Sequence, residues 1–295
     1  MNYLLIVNPL SGKKTILKHL DDIEKIFSEK GIVTKTVITT KEKEAIEIAK
    51  NNAGKYDAII CAGGDGTYNE TISGVIESKE KVNVGYIPCG STNDFAESLG
   101  LSTNNLLAAN DIANGRPYPF DTGSFNGRTF AYVASCGAFT EASYDTPQKL
   151  KNRIGHLAYV LNGATKLGTI KPNHIYVKVD NKEEYEGDYI FCSFSNSKSL
   201  AGLVKLKSKS IDLSDGKLEL ALVKAPSEPL GFFSILKMIF THNIDKSGLI
   251  TFVKGKEFLV KTSKDVDWTL DGECEKGCEE IKVVTLHNSI SLIKK

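Results

Sequence analysis

Along the first third of the chain, short apolar runs alternate with stretches whose apolar residues recur at helical spacing, and few folds accommodate that alternation. The run YLLIVN (3–8) is followed by Ile16, Leu20, Ile23 and Phe27, three or four positions apart, with Gly31 as the stop. IVTKTVI (32–38) predicts a second strand, and Thr39-x-x-Glu42 has the form of a capping box opening a helix through Ile46, Ala49 and Lys50. DAIICA (57–62) and a helix from about Thr67 to Glu77 make a third unit, and VGYIP (84–88) with a helix beginning near Asn93 a fourth. Repeated strand–helix pairs predict an α/β domain, a parallel sheet with helices on both faces.

After about residue 123 the period changes. HIYVKV (174–179), DYIFCSF (188–194), KLELALV (217–223), EFLVKT (257–262) and IKVVTL (281–286) alternate or are rich in β-branched residues, with turns between them. They predict a second domain, a mainly antiparallel β-sandwich, with helical inserts near 147–168 and 229–241. The expected organisation is a first domain over 1–123, rejoined at about 287–295 by the strand ISLI (290–293), and a second over 124–286.

Composition excludes several functions. A net charge of +1 gives no electrostatic reason for a nucleic-acid partner. The basic runs KLKNR (149–153) and KLKSKS (205–210) read as solvated surface. No stretch reaches the ~20 apolar residues that span a bilayer; the most apolar, PLGFFSILKMIF (229–240), is interrupted by Lys237. The opening MNYLLIVNP has no basic leader. The expectation is a cytoplasmic protein with no transmembrane span and at most a peripheral hold on membrane. Its six cysteines are scattered, several inside apolar strands, and Cys274-x-x-x-Cys278 lacks zinc-site spacing, so they read as reduced and structural.

Chemistry gathers in three loops that each follow a strand. In an open α/β sheet ligands collect beyond the carboxyl ends of the strands. AGGDGTYNET (62–71) places Gly64 and Gly66 around Asp65 at such an end. Glycine lets backbone amides approach an anion, and the helix that follows offers unpaired N–H groups and a positive dipole end. A carboxylate beside phosphate then needs a cation or a substrate proton between them, which points to a metal–nucleotide site with a hydroxyl acceptor. The plainer alternative is a tight turn with Asp65 as a helix cap. NPLSGKK (8–14) ends the first strand and lacks the Walker pattern, yet Ser11 and Gly12 amides and the Lys13 charge suit a nucleotide. PCGSTNDFA (88–96) is a third donor-rich loop.

Asn8-Pro9-x-Ser11-Gly12, Gly63-Gly64-Asp65-Gly66-Thr67-x-Asn69-Glu70, Pro88-x-Gly90-Ser91-x-Asn93-Asp94 and Asp271-Gly272-Glu273 together resemble the diacylglycerol kinase catalytic-domain family, and its small bacterial lipid kinases most. FDTG (120–123), TPQKLKNRIGHLAYVLNGATKL (146–167) and DLSDGKLELALV (212–223) follow in the same order, so the resemblance covers nearly the whole chain. It implies an NAD kinase/phosphofructokinase-like first domain and transfer of the γ-phosphoryl of ATP to a lipid hydroxyl, most simply diacylglycerol to phosphatidic acid. ATP and Mg2+ are the implied cofactors, and a lipid presented at a membrane surface the implied partner.

The resemblance implies nucleotide contacts at Asn8, Pro9, Leu10, Ser11 and Gly12, at Gly64, Asp65, Gly66, Thr67, Tyr68, Asn69 and Glu70, and at Ser91, where family members usually carry threonine. A further contact falls on Thr39 or Thr40, with Thr39 favoured by ungapped spacing. Glu273 matches the general base, with Asp65 and Asp271 beside it among the catalytic acids. Asp65, Asp94 and Asp121 look like the acids around catalytic Mg2+. Asp212, Asp215 and Lys217 match a separate metal site, although Ser214 stands where the family has aspartate. Without the other motifs, Asp271-Gly272-Glu273 reads as an ordinary β-turn. An interdomain cleft is the expected lipid entry, and an edge strand of the second domain offers a route to a homodimer. The competing readings are an NAD kinase, which predicts a Gly-Phe-Leu type run where this chain has PCGSTNDF, and a non-catalytic nucleotide-binding lipid sensor.

Overall fold

The computed structural model describes residues 1–137, 171–196, 199–200, 204–205, 212–226 and 248–295. The expected helices near 147–168 and 229–241 lie outside the described residues, as do the basic run 149–153 and all but the first residue of 205–210. The chain forms two compact units. One comprises Met1–Thr122, Leu213–Asp215 and Leu286–Lys295, and the other Gly123–Asp212 and Gly216–Thr285.

In the first unit, β1 (Asn2–Val7), β2 (Val33–Ile38), β3 (Ala58–Gly63) and β4 (Asn83–Pro88) pair in parallel in the order β4-β3-β1-β2. The end of the last strand of the chain adds to this sheet, with Ser291 and Leu292 parallel to Asn83 and Val84. Every residue of β3 is buried, which is why its sequence is continuously apolar instead of alternating. Helices cover both faces. On one, α1 (Leu20–Ser28) and a preceding 3₁₀ turn, Ile16–His19, set Ile16, Ile23 and Phe27 against Leu5, Val7 and Ile60. On the other, α2 (Glu44–Asn52) packs on α3 (Asp65–Ser78).

Two helix starts differ from the sequence expectation. Helix α2 begins at Glu44 instead of behind a Thr39–Glu42 box. Lys43, with φ +62°, turns the chain, and the Glu44 carboxylate reaches back to the Thr40 and Lys41 amides. Helix α3 begins at Asp65, two residues earlier than the periodicity suggests. Beyond α4 (Asp94–Leu99), α5 (Asn105–Asn114) is closed by Asn104, whose Oδ1 accepts the Leu106 and Leu107 amides at 3.1 Å.

The α2–α3 contact depends on one glycine. A Cβ at Gly74 would lie 2.2 Å from the Ile46 carbonyl oxygen. Alanine ordinarily strengthens a helix interior by up to ~1 kcal/mol, but backbone cannot yield to this overlap. Gly74→Ala is therefore expected to destabilise by about 1–3 kcal/mol. Thermal unfolding should show a midpoint lowered by several degrees, and a raised midpoint would contradict the packing described.

The second unit is mainly antiparallel. Strand β5 (Arg116–Phe125) ends in a hairpin with β6 (Arg128–Phe130), and β7 (Val133–Gly137) follows. Next come β8 (Asn173–Val179), β9 (Glu183–Ser195), a short ladder of β10 (Ser199–Leu200) with β11 (Val204–Lys205), β12 (Leu218–Lys224) and β13 (Ile250–Gly255). The remaining strands are β14 (Glu257–Lys261), β15 (Trp268–Leu270), β16 (Glu273–Glu275) and β17 (Glu280–Lys294). Their order is β16-β15-β7-β9-β8-β14-β17, with β12 joining β9 to β13. Alternate residues Ile175, Val177, Leu218, Leu220, Phe258, Val260, Ile281 and Val283 close one core with Phe194 and Trp268. The fold is thus the expected one, a parallel α/β unit and a mainly antiparallel β unit.

Candidate active site

Three loops meet at the carboxyl edge of the parallel sheet. Asn8 follows β1, and its side chain works in two directions: Oδ1 accepts the Leu10 amide at 3.0 Å, and Nδ2 donates to Thr67 Oγ1 at 2.8 Å. Ser11 Oγ accepts the Gly64 amide at 3.1 Å. Gly12, at φ +52°, passes so near the next loop that a Cβ would stand 2.2 Å from the Cys89 carbonyl oxygen. Gly64 and Gly90 are packed backbone to backbone, a Cβ on Gly90 falling 3.0 Å from Gly64 Cα. In the third loop Asn93, at φ +55°, accepts the Gly90 amide at 2.7 Å. Glycine is required at 12 by both the positive φ and the close approach.

Where these loops converge, α3 starts. Its N-cap is Gly64, which has no side chain to close the turn. The amides of a helix's first turn have no intrahelical acceptor, so a 14-residue helix presents them, with its positive dipole end, toward the loops. The contrast with α5, closed by its own Asn104, is direct.

Asp65 is the first residue of α3. Its carboxylate accepts three hydrogen bonds, from the Asp94 amide (3.0 Å), the Phe95 amide (3.3 Å) and the Tyr86 hydroxyl (3.2 Å). It therefore caps the neighbouring helix α4 and ties the second loop to the third. Burial pushes its pKa upward from the ordinary carboxylate value, against the pull of those three donors. The Tyr86 hydroxyl is pushed upward too, by burial first and by the Asp65 charge second. A carboxylate has about four acceptor sites, so roughly one remains. That suits Mg2+, which takes one or two carboxylates and fills its shell with water and phosphate oxygens.

Among the described residues no group of three or more His, Cys, Asp or Glu side chains is arranged to hold a metal ion. Asp94 is exposed at the start of α4. Asp121 is fully buried, with His287 Nδ1 3.0 Å and the Asn288 amide 2.6 Å from its Oδ1. Asp212, Asp215 and Lys217 occupy one turn, at whose centre the Leu213 carbonyl accepts the Asp121 amide at 2.9 Å.

The nucleotide positions divide by exposure. Leu10 and Ser91 stand at loop surfaces, whereas Tyr68 is fully buried, its ring stacked on Phe95 at 4.5 Å. The Tyr68 side chain is thus a core element. Glu70 Oε1 accepts the Lys43 amide at 3.0 Å and secures the entry to α2. Asn69 lies half-buried one residue before it on α3. Of the two threonines, Thr39 is buried, its amide bonded to the Val7 carbonyl, and exposed Thr40 places its hydroxyl 3.0 Å from Glu44.

In the second unit, Asp271 and Gly272 form the two-residue turn between β15 and β16, at φ +49° and +91°. The Asp271 carboxylate accepts the successive amides of Ala131, Tyr132 and Val133. Three buried backbone donors occupy Asp271, which gives it a structural role in holding the turn. Asp271→Ala is expected to destabilise by roughly 3 kcal/mol or more, since each abandoned amide costs about 1–3 kcal/mol. Asp271→Asn should cost less, asparagine retaining an acceptor and tolerating positive φ. Denaturant midpoints for the two variants in the opposite order would refute this account.

Glu273 follows that turn and is exposed, paired through Oε2 with Arg128 at 2.5 Å; the same guanidinium also binds Glu275. Arg128 escaped the sequence reading. Its signal was Asn126-Gly127, a hairpin dipeptide that delivers the next residue in a set direction.

Residues 2–125 match the profile of the diacylglycerol kinase catalytic domain. The diacylglycerol kinase of Bacillus subtilis (strain 168) is 34% identical over 271 residues, 91% of this chain and 88% of that protein. The chain belongs to the diacylglycerol kinase family. A diacylglycerol kinase structure from Bacillus anthracis str. Sterne superposes with TM-score 0.78 at 22% identity, covering 100% of this chain and 97% of that one. An NAD kinase from Archaeoglobus fulgidus in complex with ATP gives TM-score 0.50 at 12% identity, covering 100% and 93%. These two likenesses concern the fold. Family membership makes the chain a kinase. Among the described residues no helix is long and apolar enough to cross a membrane.

Proposed function

We propose that the protein is an ATP- and Mg2+-dependent lipid kinase that phosphorylates a hydroxyl of a membrane-presented lipid, with diacylglycerol as acceptor and phosphatidic acid as product. The observation that carries this reading is the N-terminus of α3, which opens on a glycine with no side chain to close it and stands beside the loops of Asn8–Gly12 and Gly90–Asn93. Such an end binds phosphate through backbone amides.

In the reaction, the acceptor oxygen forms a bond to the γ-phosphorus while the bond to the β-phosphate oxygen breaks, and ADP leaves with that electron pair. The hydroxyl proton passes to the Glu273 carboxylate as general base. The first-turn amides of α3 orient the phosphates, and the Ser11, Asn8 and Asn93 side chains keep the loops in register. Asp65 holds α4 against α3 and contributes its remaining acceptor site toward Mg2+, which when bound neutralises phosphate charge. The NAD kinase reading has only a distant likeness of fold behind it.

The test is an assay with radiolabelled ATP, Mg2+ and vesicles carrying diacylglycerol, phosphatidylglycerol, ceramide or other long-chain alcohols, products identified by mass spectrometry. Label in phosphatidic acid is expected. ATP binding with no labelled lipid would favour a nucleotide-binding sensor, and label confined to another lipid would replace the acceptor while keeping the chemistry.

A further inference from the structure

The side chains around Glu273 form a frame that no motif predicts. Arg128 and Glu273 each occupy the first position after a two-residue turn with positive φ at both residues, Asn126-Gly127 (+48° and +90°) and Asp271-Gly272 (+49° and +91°). Both turns are bolted down. Asn126 exchanges hydrogen bonds with the Lys282 backbone at 2.8 and 2.9 Å, and the Asp271 carboxylate grips Ala131–Val133, the segment immediately after β6. The hairpin bearing Arg128 and the turn bearing Glu273 are thereby fixed to each other. Between them, one Arg128 nitrogen meets Glu273 and another meets Glu275, which lies on the same side of β16 two residues on.

Ion pairs as exposed as these contribute little to folding; the Arg128, Glu273 and Glu275 side chains are 37%, 50% and 31% exposed. A guanidinium forking onto two carboxylates does limit where each can point. Resting on the assignment of Glu273 as general base, we propose that Arg128 is the positioning residue for that base, with Glu275 as its second anchor. When Glu273 takes the proton from the acceptor hydroxyl it loses its charge, and its hold on the guanidinium weakens. Glu275, which takes no part in the proton transfer, keeps Arg128 in place and so returns Glu273 to the same position when the proton leaves to water.

The test is steady-state kinetics of Arg128→Gln, Arg128→Lys, Glu275→Gln and Glu273→Gln in the full chain, with ATP, Mg2+ and diacylglycerol vesicles, alongside thermal unfolding. Misplacing a reacting group by about 1 Å costs on the order of 100-fold. Arg128→Gln is therefore expected to lower kcat by roughly 10–100-fold with the KM for ATP and the melting temperature unchanged. Arg128→Lys, which keeps the charge without the fork, should recover part of the loss, and Glu275→Gln should lose less than Arg128→Gln. Wild-type kcat in Arg128→Gln, no recovery in Arg128→Lys, or a loss confined to the KM for ATP would overturn the proposal. Failure of the underlying base assignment shows separately, as an active Glu273→Gln. A fall in kcat that merely tracks loss of folded protein would reduce Arg128 to a structural residue and also overturn it.

Discussion

Asparagine at position 65 is expected to cut phosphoryl transfer at least ~100-fold, the scale on which one preorganised charged or dipolar group acts at a reacting phosphate, while the protein melts within a few degrees of wild type. The fold should survive because the exchange is nearly isosteric. With its oxygen toward the Asp94 amide, asparagine turns its amide group toward the Tyr86 hydroxyl, which rotates to accept, and only the 3.3 Å bond from the Phe95 amide is lost. The pH dependence has a defined sign. Burial raises the Asp65 pKa, so the folded state binds that proton more tightly than the unfolded one. The associated stability is fully present below the ordinary carboxylate value and is lost as pH rises through the raised folded value. Asparagine carries no such cost, so the melting temperature of Asp65→Asn relative to wild type should be more favourable at pH 7 than near pH 4. Near-wild-type turnover with unaltered melting would leave Asp65 a helix cap and nothing more, the alternative that its hydrogen bonds to α4 make concrete.

Glutamine at position 273 should have a comparably large effect for a different reason. Removing a general base costs about 10²–10⁴-fold, and here the loss should fall on kcat with the KM for ATP unchanged, because proton transfer occurs only as the acceptor attacks. Glu273 is exposed and buries no backbone donor. Its pairing with Arg128 is worth at most ~1 kcal/mol to the fold, so thermal unfolding should not distinguish the variant from wild type. Binding of ATP with turnover abolished would support the assignment, and a rate within a few-fold of wild type would remove it. The two substitutions are also separable by metal. Asp65→Asn is expected to raise the Mg2+ concentration needed for half-maximal residual rate, whereas Glu273→Gln is expected to leave it unaltered.

Particular residues show how far sequence reading reaches. Asp271-Gly272 was legible as a turn, and Asp271 does adopt φ +49° there. Its structural role is not legible there, because the amides it binds belong to residues about 140 positions earlier in the chain, brought alongside only when β15 pairs with β7. The position of Tyr68 in a glycine-rich motif suggests a ligand contact, and its side chain points inward. At the third and fourth residues after the N-cap a helix that lies on a sheet must bury something, and here Tyr86 and Phe95 receive the ring. The capping box at Thr39 failed by a few residues because Lys43 adopts a left-handed conformation that propensity does not foresee.

What the sequence alone determined is everything governed by neighbours a few positions away: the strand–helix alternation of the first unit, the change to alternation beyond residue 123, and the turns at glycine. It also carried the three glycine-bearing loops that follow β1, β3 and β4, since loops that follow parallel strands lie at the same edge of the sheet. Only the tertiary structure decided which carboxylates are spent on backbone amides and which keep acceptor capacity, and which cation stands beside Glu273. Those outcomes depend on strand register, which the packing of the whole core selects, and no local run of residues encodes it.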